Sequence, residues 1–146
     1  MLGQNQAKIG GKMVIWNDVK LWLTSQNINF TDEGEFIDII FDFTDRDRFQ
    51  QLRVQHTPLD VGTDAITFLS FIALYNPLKT ESLLLEANGG VGGVAIQSFS
   101  DGSKYFVLKA TVPLSEIDSA EIDFHMTAIA ARADALEELI FRVDDL

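Results

Sequence analysis

Seven apolar residues, Ile122, Met126, Ile129, Ala133, Leu136, Ile140 and Val143, step alternately by four and three along the last part of the chain. That spacing places them on one stripe of an α-helix, so the helix must lie with one side on an apolar surface. Its opposite side is acidic, because residues 115–146 carry nine acids against Arg132 and Arg142. The stripe needs a partner, either a sheet beneath it or a second copy in a coiled-coil seam. Residues 122–143 make about three heptads, short for a self-standing coiled coil. Alanines at 128, 131 and 135 flank the stripe and permit close approach, which favours a sheet.

The preceding sequence supplies such a sheet. Residues 35–43 alternate, with Ile37, Ile39, Phe41 and Phe43 on one face and Phe36, Asp38, Ile40 and Asp42 on the other. The turn-forming residues 44–47 lead into 48–56, where Leu52, Val54 and His56 alternate with Gln51, Arg53 and Gln55, which predicts a hairpin. Residues 64–75 are apolar on both faces and rich in β-branched and aromatic side chains, which predicts a central strand. Strands at 93–99 and 104–112 flank Ser100-Asp101-Gly102-Ser103 as a second hairpin, which Pro113 ends because it has no N–H to donate. Helices are predicted at 12–26, with Ile15, Trp16, Val19, Trp22 and Leu23 at helical spacing and Asn27 as its stop, at 78–87, and at 119–144. The expected architecture is an α+β domain in the order α-β-β-β-α-β-β-α, an antiparallel five-stranded sheet with helices packed on it. Residues 1–11 hold three glycines and little apolar content and are expected to form a flexible tail, leaving 12–146 as a single domain.

Composition excludes several function classes. The chain has 146 residues, 47% of them hydrophobic, enough for a core that needs no staple. It has no cysteine, which removes disulfides and thiolate metal sites and fits a reducing, cytoplasmic setting. A net charge of -11 repels a phosphate backbone, so no nucleic-acid partner is expected. The longest apolar run, 65–75, is interrupted by Thr67 and Ser70 and is too short to span a bilayer; no membrane partner and no export signal are expected.

Each motif with chemical potential has a structural counterpart. Gly90-Val-Gly-Gly-Val-Ala95 matches the dinucleotide pattern G-x-G-x-x-A, but a helix is predicted before it and a strand after it. That is the reverse of what pyrophosphate binding at a helix N-terminus needs, so a helix stop and strand start is the preferred reading. Glu121 and His125 lie four apart on the last helix with Asp118 nearby, a possible partial metal set or a solvated acidic face. His56, beside Asp60 or Asp64, offers a base and orienter without a placed nucleophile. Asp38 and Asp42 share a strand face, and Arg46, Arg48 and Arg53 are near enough to make them cross-strand ion pairs. Ser115-Glu-Ile-Asp118 and Asp118-Ser-Ala-Glu121 are overlapping capping boxes, expected where one turn breaks and restarts as the long helix.

The stretch 78–87, then Ala-Asn-Gly-Gly-Val-Gly-Gly-Val-Ala-Ile at 87–96, Tyr105-Phe-Val-Leu, Pro113-Leu-Ser-Glu-Ile-Asp118 and Ala131-Arg-Ala-Asp-Ala-Leu-Glu-Glu-Leu-Ile140 together resemble the YbjN-like domains. These are grouped with the type III secretion chaperone-like (CesT-like) superfamily. The resemblance implies an α+β sheet-and-helix domain, frequent homodimers, no cofactor, no catalytic residues, and a role in binding or regulating other proteins. The expected function is thus a non-enzymatic, chaperone-like protein-binding or regulatory module, with a homodimer mate or another protein as partner. Its surface is placed at Phe36, Ile40, Phe68 and Ile72, where strands are apolar on both faces. The alternatives are a small-molecule or metal-binding enzyme using His56, His125, Asp118 and Glu121, and a regulatory subunit of a larger complex.

Overall fold

A computed structural model describes residues 15–43, 48–60 and 64–141; the expected tail at 1–11, and also Arg46 and Val143, lie outside the described residues. The elements run α1 (Trp16–Ser25), β1 (Thr31–Asp32), β2 (Phe36–Phe43), β3 (Arg48–Pro58), β4 (Asp64–Leu74), a 3-10 turn (Pro77–Lys79), α2 (Thr80–Ala87), β5 (Gly93–Ser98), β6 (Lys104–Pro113), a second 3-10 turn (Leu114–Glu116) and α3 (Ser119–Leu136). The sheet is antiparallel throughout and has six strands rather than the expected five, in the order β1-β2-β3-β4-β6-β5. The additional strand is the two-residue edge β1, which pairs Thr31 with Asp38 and Asp32 with Ile37. Two residues are too few to show any periodicity in a sequence.

Register sorts the side chains into two faces. Ile37 sits opposite Val54, Val54 opposite Phe68, and Phe68 opposite Ala110, and the row beside it runs Ile39, Leu52, Ser70, Leu108, Val94. This face is the one the helices cover. Trp16, Val19, Trp22 and Leu23 of α1, Leu83 and Ala87 of α2, and the stripe of α3 all join the buried cluster on it. Along α3, Ile122, Met126, Ile129, Ala133 and Leu136 are buried and Ile140 is partly so, and the helix packs across β3, β4 and β6. The stripe thus meets a sheet of its own chain. Each such side chain, fully removed from water, stabilises by about 1.5–3 kcal/mol before entropy is counted.

The helix ends follow from local chemistry. In α1 the Ile15 N–H donates to Asp18 Oδ2 at 3.1 Å, and Asn27 takes φ 58° just past the last turn, the left-handed conformation that stops a helix. At the start of α3 the backbone N–H of Glu121 donates to Asp118 Oδ1 at 2.9 Å. A 3-10 turn precedes it and the chain breaks and restarts there, but of the two expected capping boxes only Asp118 caps: Ser115 lies inside the turn, whose N-cap, Pro113, makes no side-chain hydrogen bond. The far end departs from the expected helix to 144: α-geometry stops at Leu136 and a π-turn spans Glu137–Phe141. No helix among the described residues is long and apolar enough to cross a membrane.

One charged contact ties α3 to the sheet. Asp134 is fully buried on α3 and its Oδ1 accepts from Arg48 Nε at 2.7 Å, with Arg48 Nη2 also 2.9 Å from Glu137 Oε1. Arg48 therefore serves α3 and not the strand-face aspartates; Arg53 alone of the described arginines pairs with Asp38, at 2.9 and 3.2 Å. Removing one partner of a buried pair typically costs about 3–5 kcal/mol, whereas an apolar replacement of both is close to neutral. Asp134→Ala is expected at the low end, about 3 kcal/mol, because Glu137 still faces Arg48. Urea unfolding checks this, and the double variant Asp134→Leu, Arg48→Met is expected to regain most of the loss.

Candidate functional site

The sheet face turned away from the helices carries Phe36, Asp38, Ile40 and Asp42 on β2, Phe49, Gln51, Arg53 and Gln55 on β3, Leu69 and Phe71 on β4, and Tyr105, Val107 and Lys109 on β6. None of these residues belongs to the helix-covered cluster, although Leu69 and Val107 at the middle of the face are buried and the exposed apolar side chains are Ile40 and Phe49 towards the β2–β3 end. Ile40 is 60% exposed and Phe49 65% exposed, both from strands whose other side is buried. At the centre the Arg53 guanidinium lies 3.9 Å from the Phe36 ring centroid while bonded to both oxygens of Asp38. Its charge is neutralised by Asp38 and its guanidinium sits over an aromatic ring, so it interrupts the apolar surface less than a free cation would.

One end of this face is aromatic. Phe99, in the turn after β5, folds back so that Phe71, Phe99 and Tyr105 meet with ring centroids 5.6–5.8 Å apart. Beside them a register shift in β4 between Phe71 and Ala73 accommodates Ile72, and an open groove of about 880 Å³ runs past Phe49, Arg53, Phe71, Leu74, Phe99 and Tyr105. Open aromatic grooves of this size accept side chains of a peptide more readily than they enclose a small molecule, which a pocket must bury on most sides.

Of the four residues expected to form the partner surface, Phe36 and Ile40 lie on this face. Phe68 and Ile72 lie on the other, buried beneath the helices, and Phe68 stacks on His125 at 5.3 Å. The β4 residues that stand beside Phe36 and Ile40 are Leu69 and Phe71. Phe49 was not among the candidates; its signal is the alternation of β3, which sets it on the side of Gln51 and Arg53 and away from Leu52 and Val54.

The titratable candidates engage separate partners. His56 Nδ1 is 2.6 Å from Glu35 Oε2 and Nε2 is 3.1 Å from Asp64 Oδ1, with the ring stacked on Trp16 at 5.8 Å. Asp64 is one of the two acids expected beside it; Glu35 was not. Burial opposes a charge on His56, but the carboxylates of Glu35 and Asp64 outweigh it and raise its pKa above the ordinary 6.5. His125 Nδ1 is 2.8 Å from the Glu121 carbonyl, which can only accept, and Asp118 caps α3. Among the described residues no group of three His, Asp or Glu is placed to hold a metal ion.

The glycine motif connects α2 to β5. Gly92 has φ 72°, and a Cβ there would stand 2.8 Å from Ile129 Cδ1 and 2.9 Å from the Lys109 carbonyl oxygen. The Gly90 region abuts Arg132, whose guanidinium donates to the Glu86 carbonyl and so neutralises the negative end of α2. Gly92→Ala is expected to cost about 1–3 kcal/mol, read by urea unfolding, from backbone strain and displacement of the α3 stripe.

No protein-family model matches the sequence, and no curated protein matches it. Solved structures do match in fold. YbjN from E. coli superposes with a TM-score of 0.54 at 8% identity, covering 91% of this chain and 94% of that one. The HopA1–SchA chaperone–effector complex gives 0.52 at 11% identity over 80% of this chain and 87% of that one. The heterodimeric ExoU–SpcU complex from the type III secretion system of Pseudomonas aeruginosa gives 0.52 at 14% identity over 82% and 95%. With a single antiparallel sheet covered by helices on one face, the chain has the α+β fold shared by YbjN and the type III secretion chaperones.

Proposed function

We propose that residues 12–146 form one protein-binding module of chaperone type, without catalytic activity of its own, that takes its partner on the helix-free face of the sheet. The observation that carries this is the exposure of Ile40 and Phe49 on an apolar face that no helix of the described residues covers. Apolar patches of this kind on an otherwise charged chain mark interaction surfaces. A partner laid there loses little to desolvation, because the central arginine is already paired. Two of the similar structures are complexes of two proteins, which supports a binding role. Of the four residues an enzyme reading would use, His56, His125, Asp118 and Glu121, His56 contacts Glu35 and Asp64, Asp118 caps α3, and His125 bonds the Glu121 carbonyl, which favours binding over catalysis. The cysteine-free sequence supports a cytoplasmic setting.

A second observation favours a homodimer at a different place. Leu78 is 88% and Leu85 69% exposed beside β5, where Leu84 and Ile96 are also exposed. Strand β5 is the outermost of the sheet, and Gly93–Ser98 contains no charge and no proline to protect its open backbone edge. A second copy meeting the same elements about a two-fold axis covers both.

Two measurements check these readings. In affinity capture from native lysate, Ile40→Thr with Phe49→Thr is expected to lose a specific partner that the parent chain retains, with stability changed by no more than about 1 kcal/mol per site. Capture of the same proteins by both forms contradicts the binding face. Light scattering is expected to show a dimer that Leu84→Glu with Leu85→Glu converts to a monomer; a monomeric parent chain contradicts the homodimer.

A further inference from the structure

We propose that His56 is a pH-operated latch: its imidazolium tightens the start of α1 and the β1–β2 turn against the sheet, and loss of one proton loosens them. Three separate chain segments meet on this ring. Trp16, the first residue of α1, stacks on it at 5.8 Å and 9°. Glu35, in the turn before β2, reaches Nδ1 at 2.6 Å, and the His56 backbone N–H donates to the Glu35 carbonyl at 2.8 Å. Asp64, at the start of β4, places Oδ1 3.1 Å from Nε2, a charge contact outside hydrogen-bond geometry.

An ionised carboxylate can only accept, so a ring with a carboxylate at each nitrogen is satisfied only when both nitrogens carry hydrogen. The neutral ring has one N–H and leaves one acid facing a lone pair. The remaining charged groups at this joint reinforce the same junction. From α1, Lys20 donates to the Gly34 carbonyl at 2.9 Å and to Asp32 Oδ1 of β1 at 3.0 Å, and Asp18 accepts from the Ile15 N–H. Trp16 Nε1 donates to the same Gly34 carbonyl at 2.8 Å. Helix α1 is therefore joined to the turn by bonds that persist. Core packing of Val19, Trp22 and Leu23 and the backbone bond from His56 N–H to Glu35 hold both to the sheet, and the His56 side chain adds a tie at this joint that depends on a proton. Of the side-chain types here, only histidine ordinarily titrates near neutrality.

The sign follows from linkage. The two acids hold the proton on His56 to a higher pH than the ordinary 6.5, so the added stability is complete below 6.5 and is lost as the pH rises through the folded-state value. What loosens is the helix that carries Val19, Trp22 and Leu23 into the core. The latch belongs to the fold and holds whichever partner the open face takes.

The test is made on the full chain by NMR between pH 5.5 and 8.5, following the His56 ring resonances and the hydrogen exchange of the Val19, Trp22 and Leu23 amides, corrected for intrinsic rates. In the parent chain these amides are expected to lose protection several-fold as His56 deprotonates. In His56→Gln the protection is expected to be flat with pH, and in Glu35→Gln the His56 midpoint is expected to move to lower pH. Protection that ignores the His56 titration, or a fall that persists in His56→Gln, overturns the latch. Should His56→Gln not fold, an unmoved midpoint in Glu35→Gln overturns it equally.

Discussion

The packing of the α3 stripe across β3, β4 and β6 is the contact on which the other features depend. A helix that spans three strands of one face fixes which side of each strand is inside, because strand side chains alternate strictly. Ile37, Leu52, Val54, Phe68 and Leu108 are thereby committed to the core. Three further devices hold the stripe in place: Gly92, whose missing Cβ makes room for Ile129; Arg132, which reaches the end of α2; and Arg48, which anchors Asp134. With α1 and α2 adding their buried residues to the same side, the opposite face receives no cover from the described helices.

Charge is distributed to match. Glu121 and Asp123 stand exposed on the outer side of α3, where they repel other acidic surfaces. Asp134 is the exception, an acid placed on the buried side and matched by one arginine. On the uncovered face Asp38 and Arg53 cancel, with the guanidinium laid over Phe36. A partner docking there displaces water from Ile40, Phe49 and the Phe71–Phe99–Tyr105 cluster rather than stripping ions.

Much of this was legible in the sequence, and the reasons for the rest are physical. The α3 stripe is legible because its positions step by four and three, and β2 because Asp38 and Asp42 mark its outward side, which places Phe36 and Ile40 on that side as well. Strand β4 is apolar on both faces, so alternation could not tell which face the helices take, and Phe68 and Ile72 were placed on the wrong side of that choice relative to Leu69 and Phe71. The Arg48–Asp134 pair spans 86 residues, and nothing in an acid-rich helix distinguishes one buried aspartate from its exposed neighbours. The second carboxylate at His56 was invisible for a similar reason: Glu35 arrives through a turn whose geometry is set by a two-residue strand.

The sheet has one face covered by helices and another on which Ile40 and Phe49 stand in solvent. Hydroxyl-radical footprinting of the free chain, read residue by residue by mass spectrometry, distinguishes the two faces. Rapid modification of Ile40 and Phe49, with Ile37, Leu52, Phe68 and Ile129 protected, is the predicted result. Protection of Ile40 and Phe49 equal to that of the core residues in the monomeric chain would contradict it.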